Sequence, residues 1–162
     1  MEDDDHLVLP EFIPGNRNFS DFKLAVDALL SKGDQNNGYG VFIRGASNQN
    51  SPLATYYRLE LYGDGSYAVF KGVVDANGKT NNTTLVDNMQ SSVIQPQGGQ
   101  NHIEITAKGP SITLSLNGQM LKTFSDNSYT GGSIALFVSN LPDAQPGAQA
   151  KFSNLAIYPP QA

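Results

Sequence analysis

Apolar and polar residues alternate along most of this chain, and glycine, asparagine, aspartate and serine interrupt the alternation at short intervals. Alternation with a period of two puts successive side chains on opposite faces of a β-strand, and frequent turn residues separate short strands. The pattern therefore predicts an all-β protein, built as a sandwich or a barrel and nearly free of helix.

The first strong strand is predicted at FSDFKLAVDALL. Its alternate positions from Phe22 to Leu30 are apolar, whereas Asp21, Lys23 and Asp27 point to the other side. The AVDALL stretch has helix propensity, but the period of two and the lack of a 3.6-residue period favour a strand.

A meander of three strands is predicted from YGVFIRG, TYYRLELYG and SYAVFKG. A three-residue GDG loop between the last two pairs Tyr62 with Ser66 and Arg58 with Phe70. Residues 73–100 follow, rich in turn residues, and are predicted to form loops around one or two short strands.

The second half of the chain contains a strong hairpin signal at Asn117-Gly118. A type I′ turn needs positive φ at both central residues, which Asn-Gly tolerates best. A two-residue loop would pair Leu116 with Gln119 and Leu114 with Leu121. The strands SIALFVSN and AKFSNLAIYP follow, and a shift of apolar parity in the latter predicts a bulge near residues 153–154.

Composition indicates one domain over residues 1–162 and excludes several kinds of partner. The net charge is -5 with scattered Lys and Arg, which argues against nucleic acid. Cysteine is absent, so disulfides and thiolate metal sites are excluded. No apolar run approaches the roughly 20 residues that span a bilayer, so membrane insertion by this segment is not expected. The two ends look like cuts from a longer polypeptide.

The order of turn motifs resembles a known fold family. GYGVFIRG precedes YYRLELYGDGSYAVFKG, then come GGQNHIEITAKGPSITLSLNGQMLKTFSDNSYTGGSIALFVSN and AKFSNLAIYP. This order is similar to the concanavalin A-like lectin and glucanase superfamily, in its laminin-G-like and bacterial extracytoplasmic group. The similarity covers residues 19–158, which leaves 1–18 as an N-terminal extension. It implies a two-sheet antiparallel jelly-roll sandwich.

The resemblance also implies a setting and a role for one loop. Such domains look like ligand-sensing or adhesive ectodomains attached to bacterial membrane proteins, including some protein kinases, so an extracytoplasmic or secreted location is expected. In the loop SDNSYTGG, the family turn implies that Asp126 caps the loop backbone and that Tyr129 packs against the edge of the sandwich.

A ligand site is predicted on the polar face of the meander. Aromatic rings cover the C–H faces of sugars, and charged or amide groups satisfy sugar hydroxyls. The alternative is an ordinary solvent-exposed sheet face where an arginine stacks on phenylalanine and pairs with a glutamate. The resemblance favours a non-catalytic carbohydrate-binding module with these ligand-binding residues: Arg44, Tyr56, Arg58, Glu60, Tyr62 and Phe70.

An enzymatic reading remains as the alternative. The chain lacks the E-x-D-x-x-E strand of the family's glycosidases, so it has no pair of catalytic carboxylates at that spacing. It also resembles the 3-keto-disaccharide hydrolase pattern "nsGiffR…yEvQi…D", in which Gly40 and Arg44 match. However, Arg58 stands where that pattern has Glu, and Glu60 stands where it has Gln. Glu60 is then the candidate acid or base.

Calcium is the usual companion ion of the fold that this chain resembles. Turn oxygens of Asp34, Asp64 and Asp75 are the candidate ligands, but none has the spacing of an EF-hand loop. Asp in turns usually caps its own backbone, so no cofactor is expected and calcium stays an alternative. His102, beside Glu104 on a strand's polar side, is predicted to be an ordinary surface residue.

Overall fold

The computed structural model describes residues 2–3, 8–12, 17–140 and 147–158, and within them every regular element is a strand. In this described part no helix could cross a membrane. The strands run in chain order as β1 (Glu2–Asp3), β2 (Val8–Phe12), β3 (Phe22–Lys32), β4 (Asn37–Ala46), β5 (Thr55–Tyr62), β6 (Ser66–Val74), β7 (Thr80–Gln90), β8 (Asn101–Lys108), β9 (Ser111–Leu116), β10 (Gln119–Ser125), β11 (Ser133–Asn140) and β12 (Ala148–Tyr158).

The strands form two six-stranded antiparallel sheets that pack as a sandwich. Sheet A has the order β1-β12-β3-β8-β9-β10, and sheet B has the order β2-β11-β4-β5-β6-β7. The all-β jelly-roll fold expected from the alternation and the turn order is confirmed.

The main core lies between the sheets and follows the alternation of the sequence. On β3, the five apolar positions from Phe22 to Leu30 are buried and the residues between them are partly exposed. They meet Tyr57, Leu59 and Leu61 of sheet B in one cluster. Each fully buried aliphatic side chain of this size contributes about 1.5–3 kcal/mol of hydrophobic stabilisation.

Sheet B is also apolar on its outer face, the one turned away from sheet A. On β4, Tyr39 and Val41 belong to the main core, whereas Phe42 belongs to a second buried cluster. That cluster also contains Leu53, Tyr56, Ala135 and Phe137. Much of the outer face of sheet B is therefore shielded from water. This limits where a ligand could reach the candidate site.

The hairpins form at the predicted turns, with one change of register. Asn117 and Gly118 adopt φ of 52° and 86°, as a type I′ turn requires, and Leu116 pairs with Gln119. A bulge then sets Lys122 opposite Leu114, so the predicted pairing of Leu114 with Leu121 is wrong. The extra residue lets Leu121 stay packed against the main core.

Residues 73–100 are more regular than predicted. β7 is an 11-residue strand paired to β6, where the sequence suggested loops around short strands. β7 lies at the edge of sheet B and its side chains are mostly exposed, with Val86 its one buried residue. A strand with a single buried residue carries almost no apolar alternation, which explains the wrong prediction.

Two local features of the last third agree with the sequence. The register of β12 shifts after Ser153, where Asn154 has a φ of 55°, so the predicted bulge is present. In the loop between β10 and β11, Asp126 Oδ1 accepts a hydrogen bond from the Ser128 amide at 2.9 Å. The Tyr129 hydroxyl donates to the Gly72 carbonyl at 3.0 Å, which ties the loop to sheet B.

Candidate functional site

A bulge in β4 removes one of the predicted site residues from the meander face. Ile43 pairs with Tyr57 and Ala46 pairs with Thr55, so β4 carries one extra residue in this interval. Arg44 lies inside it with a φ of 52°, in the left-handed region that a non-glycine residue rarely adopts.

The contacts of Arg44 lie elsewhere. Its guanidinium donates to the carbonyl oxygens of Ser20 at 2.9 Å and Tyr129 at 3.2 Å, and it lies 3.7 Å from the Asp21 carboxylate. The side chain is fully buried. Strict alternation placed Arg44 beside Arg58, and the bulge is the reason that it does not lie there.

The other predicted residues share one surface, which we call the Arg58 face. It is the part of the outer face of sheet B formed by Phe42, Tyr56, Arg58, Glu60, Tyr62, Phe70 and Phe137. Arg58 pairs with Phe70 in the predicted register, so the predicted hairpin alignment of β5 and β6 is confirmed.

Glu60 is the buried centre of the polar contacts on the Arg58 face. One of its oxygens accepts from the Ser139 hydroxyl at 2.7 Å and from the Arg58 guanidinium. The other accepts from the Tyr62 hydroxyl at 2.7 Å. Glu60 is only 1% exposed, so this charge is stabilised by direct partners instead of water. Burial, and then the Glu60 carboxylate, raise the pKa of Tyr62 far above its usual range, so the phenol stays a donor.

Arg58 is held between aromatic rings. Its guanidinium carbon lies 5.0 Å from the ring centroid of Phe137 and 6.0 Å from those of Phe42 and Phe70. These distances suit cation–π attraction. Among the described residues, the Nε of Arg58 is the buried side-chain polar atom that has no hydrogen-bond partner. The arginine is thus fixed in position while part of its hydrogen-bonding capacity is unused.

Two cross-strand rows extend the Arg58 face toward the sheet edge. In the first row, Arg58 pairs with Phe70, which pairs with Thr84 of β7. Residues in register project from the same face of a sheet. The row therefore places a guanidinium, an aromatic ring and a hydroxyl side by side.

The second row depends on a glycine. Tyr56 pairs with Gly72, and Gly72 pairs with Asn82. The Tyr56 ring occupies the space that a Cβ at position 72 would need, and its hydroxyl donates to Asn82 Oδ1 at 2.9 Å. A residue other than glycine would displace the ring and break this bond.

Solvent reaches the Arg58 face mainly at its β6–β7 end. Glu60 and Tyr62 are buried and Phe70 is half-buried, whereas Asn82 and Thr84 are exposed. Sequence reasoning missed these two residues because it placed Asn82 in a turn-rich stretch and Thr84 in a short segment with no assigned strand partner. The Asn77-Gly78 pair just before β7 was the signal for a β6–β7 hairpin, and Gly78 does adopt a φ of 79°.

The three candidate calcium ligands support their own turns. The Oδ1 atoms of Asp34, Asp64 and Asp75 accept backbone amide hydrogen bonds at 2.7, 2.9 and 2.9 Å from residues two positions ahead. Across the described ranges, no group of three or more His, Cys, Asp or Glu side chains is placed to hold a metal ion. The calcium alternative therefore gains no donor cluster from this part of the chain.

His102 lies on the outer face of sheet A between two carboxylates. Its Nδ1 is 2.7 Å from Asp27 Oδ1 and its Nε2 is 3.1 Å from Glu104 Oε1. The hydrogen bond with Asp27 is the main cause that raises the pKa of His102. Its side chain is 43% exposed, as predicted for a surface residue.

Comparison with known proteins identifies the family. The sequence profile of the 3-keto-alpha-glucoside-1,2-lyase-like domain matches residues 10–157. The chain belongs to this family. A search of curated protein sequences finds no significant match.

Solved structures similar to this member of the 3-keto-alpha-glucoside-1,2-lyase-like family have low sequence identity and the same fold. The carbohydrate-binding module CBM66 from Bacillus subtilis is 15% identical, with a TM-score of 0.72 over 98% of this chain and 86% of that chain. A protein from Parabacteroides distasonis described as a glycosyl hydrolase is 17% identical, with a TM-score of 0.58 over 88% of this chain and 73% of that chain. Sheep galectin-11 is 11% identical, with a TM-score of 0.51 over 90% of this chain and 96% of that chain. These likenesses confirm the concanavalin A-like jelly roll.

Proposed function

We propose that this domain is a non-catalytic carbohydrate-binding module whose ligand lies on the β6–β7 end of the Arg58 face. The observation that carries the proposal is the row in which Arg58, Phe70 and Thr84 stand side by side at the solvent boundary. The Phe70 ring offers an apolar surface to the C–H groups of a sugar. Arg58, Thr84 and the neighbouring Asn82 offer donors and acceptors for its hydroxyls.

The buried part of the Arg58 face supports this row. Glu60 fixes the guanidinium of Arg58, and Tyr62 and Ser139 fix Glu60. Groups that are already held in place lose little freedom when a ligand binds, which favours affinity for a given set of contacts. Two structural neighbours, a carbohydrate-binding module and a galectin, have the same architecture as this domain.

The arrangement of Glu60 favours binding over catalysis. A general acid or base needs a carboxylate oxygen within hydrogen-bond reach of the reacting group. Both oxygens of Glu60 are taken by protein donors beneath the surface. We also propose an extracytoplasmic or secreted setting, which rests on the resemblance to extracytoplasmic domains.

The test is binding to a panel of immobilised polysaccharides and oligosaccharides, followed by calorimetric titration of any ligand found. We expect Phe70→Ala to weaken binding at least tenfold, because it removes the stacking surface. Thr83→Ala is the matched control, since Thr83 is exposed on β7 and projects from the opposite face of the strand to Thr84. Equal affinity of both variants, or no ligand on the panel, would overturn the proposal.

A second candidate function is glycoside cleavage of the 3-keto type, which the family match favours. In that case Glu60 is the acid or base, and the domain should release a 3-keto sugar from 3-keto-α-glucosides. Glu60→Gln should then abolish turnover while Phe70→Ala lowers it. Turnover that is absent in the unmodified domain, together with Phe70-dependent binding, would exclude this alternative.

A further inference from the structure

A groove of about 690 Å³ lies at the end of sheet B where the β4 bulge meets the loop between β10 and β11. Its volume is typical of small-molecule sites. It shares no lining residue with the Arg58 face. Its lining residues include Phe12, Arg17, Asn18, Ser47, Thr130 and Gly132.

The charge of the groove differs from that of the whole chain. The net charge is -5, yet Arg17 lines the groove and none of the described lining residues carries a carboxylate. Within the described ranges no acidic side chain forms an ion pair with Arg17, and Asp21, four residues further along the chain, lies 3.7 Å from Arg44. A local cation without a partner in an acidic protein attracts an anion from solution.

The other lining groups suit a carbohydrate. Phe12 is 36% exposed and presents an aromatic ring. Asn18, Ser47 and Thr130 add an amide and two hydroxyls, which can both donate and accept hydrogen bonds. A phosphate or a sulfate alone would use the charge but leave the ring without a contact.

The walls of the groove are held in place by Arg44. Its buried guanidinium bridges the carbonyl oxygens of Ser20, on one wall, and Tyr129, which precedes the other wall. On the floor, Gly132 has a φ of 152°, and a Cβ there would strike the backbone of Gly45. The strained conformation of Arg44 is thus maintained by contacts that fix the shape of this groove.

We propose that this groove binds a hexuronate unit of an acidic polysaccharide, with the sugar carboxylate on Arg17 and the sugar ring against Phe12. Arg17 presents a planar fork of donors that matches a carboxylate. This site is separate from the one on the Arg58 face, and it does not depend on that proposal.

The experiment compares acidic oligosaccharides with their uncharged methyl esters by calorimetric titration. The probes are oligogalacturonate, oligoglucuronate and oligomannuronate, each as the free acid and as the ester. We expect at least one acid to bind tenfold or more tightly than its ester, and added salt to reduce the difference. If no acid binds more tightly than its ester, the proposal is overturned.

Variants assign the binding to the groove. Arg17→Gln should remove the preference for the acid and Arg17→Lys should keep part of it, because the charge remains without the fork. Lys108→Gln is the matched control, since it removes one exposed positive charge from sheet A. An equal loss in Lys108→Gln would mean non-specific attraction and would overturn the proposal.

Two further variants separate the groove from the Arg58 face. Phe12→Ala should weaken binding of the acid and of the ester alike, because the sugar rings of both stack on Phe12. Phe70→Ala should leave the acid preference unchanged, whatever it does to neutral ligands. Loss of the acid preference in Phe70→Ala would place acidic sugars on the Arg58 face and overturn the groove assignment.

Discussion

The outer face of each sheet carries a pair of ionisable side chains two residues apart on one strand, Arg58 and Glu60 on β5 and His102 and Glu104 on β8, but water reaches the two pairs to different extents. On sheet B, the Arg58 and Glu60 side chains are 12% and 1% exposed. On sheet A, His102 and Glu104 are 43% and 33% exposed. The two clusters have similar chemistry and comparable distances, so burial is the variable that separates them.

Burial changes what each cluster contributes. A buried charge depends on its protein partners, so removing one partner leaves an uncompensated charge in a medium of low dielectric. An exposed ion pair is replaced by water when one partner is lost, and its net contribution is small. Sheet B should therefore respond strongly to single substitutions, whereas sheet A should respond mainly to pH.

Glu60→Ala should have the largest effect. It leaves the Arg58 charge and the Tyr62 and Ser139 hydroxyls without their acceptor, and we expect the free energy of unfolding to fall by about 3–5 kcal/mol. Urea denaturation measures the change. The double variant Arg58→Met/Glu60→Leu is the control, because it removes both charges and should recover most of the loss. A double variant as unstable as Glu60→Ala would contradict the explanation.

Tyr62→Phe should have the second largest effect. It removes one hydrogen bond to a buried carboxylate. We expect the free energy of unfolding to fall by about 1.5–3 kcal/mol. Tyr158→Phe, which removes the hydroxyl of a half-exposed tyrosine, should leave the midpoint of denaturation unchanged. Similar losses in the two variants would show that the Glu60 contact is not responsible.

Asp126→Asn tests an ion pair of intermediate exposure. Burial opposes ionisation of Asp126, but hydrogen bonds from Tyr57, Ser128 and Lys71 hold its pKa well below the usual range. We expect a loss of about 1–2 kcal/mol at neutral pH, because the neutral amide keeps the shape but not the charge. A pKa lowered in the folded state stabilises above the unfolded value of about 3.9 and loses that effect as the pH falls through the folded value. The difference in free energy of unfolding between the unmodified protein and Asp126→Asn should therefore become smaller in acid. A difference that stays constant with pH would contradict this account.

His102→Gln should have the smallest effect, and one that depends on pH. Because the pKa of His102 is raised in the folded state, its contribution is complete below the unfolded value of about 6.5 and is lost as the pH rises through the folded value. Thermal unfolding of both proteins across this range measures the difference. The melting temperatures should converge at alkaline pH, and a difference that grows there would reverse the assigned sign.

Much of the fold could be predicted from the sequence because core contacts leave a periodic record. Phe22 to Leu30 alternate because one side of β3 faces sheet B, and Asn117-Gly118 marks its turn because few residues accept positive φ. The concanavalin A-like family followed from the order of such turns. β7 could not be predicted in the same way, since an edge strand with one buried residue leaves no such record.

The candidate site was predicted only in part, because bulges change which face a residue occupies. The alternation around Phe42 predicts Arg44 on the outer face. Because β4 carries one extra residue, Arg44 instead donates to the carbonyl oxygens of Ser20 and Tyr129. Asn82 and Thr84 reach the Arg58 face through pairing with β6, which depends on tertiary structure. Whether the predicted ligand residues contact a sugar stays a prediction.

The turn residue Asn117 has a consequence for the chemical ageing of this protein. Asparagine before glycine is prone to deamidation, because the glycine nitrogen can attack the unhindered side-chain carbonyl. Here the Asn117 amide donates to the Val93 carbonyl at 2.6 Å and to Asn101 Oδ1 at 2.9 Å, and its oxygen accepts from the His102 amide at 2.8 Å. These three bonds restrain the side chain, and attack by the glycine nitrogen would have to break them. Once deamidated, residue 117 would have no amide protons for Val93 and Asn101, and the hairpin would lose its hold on the segment before β8.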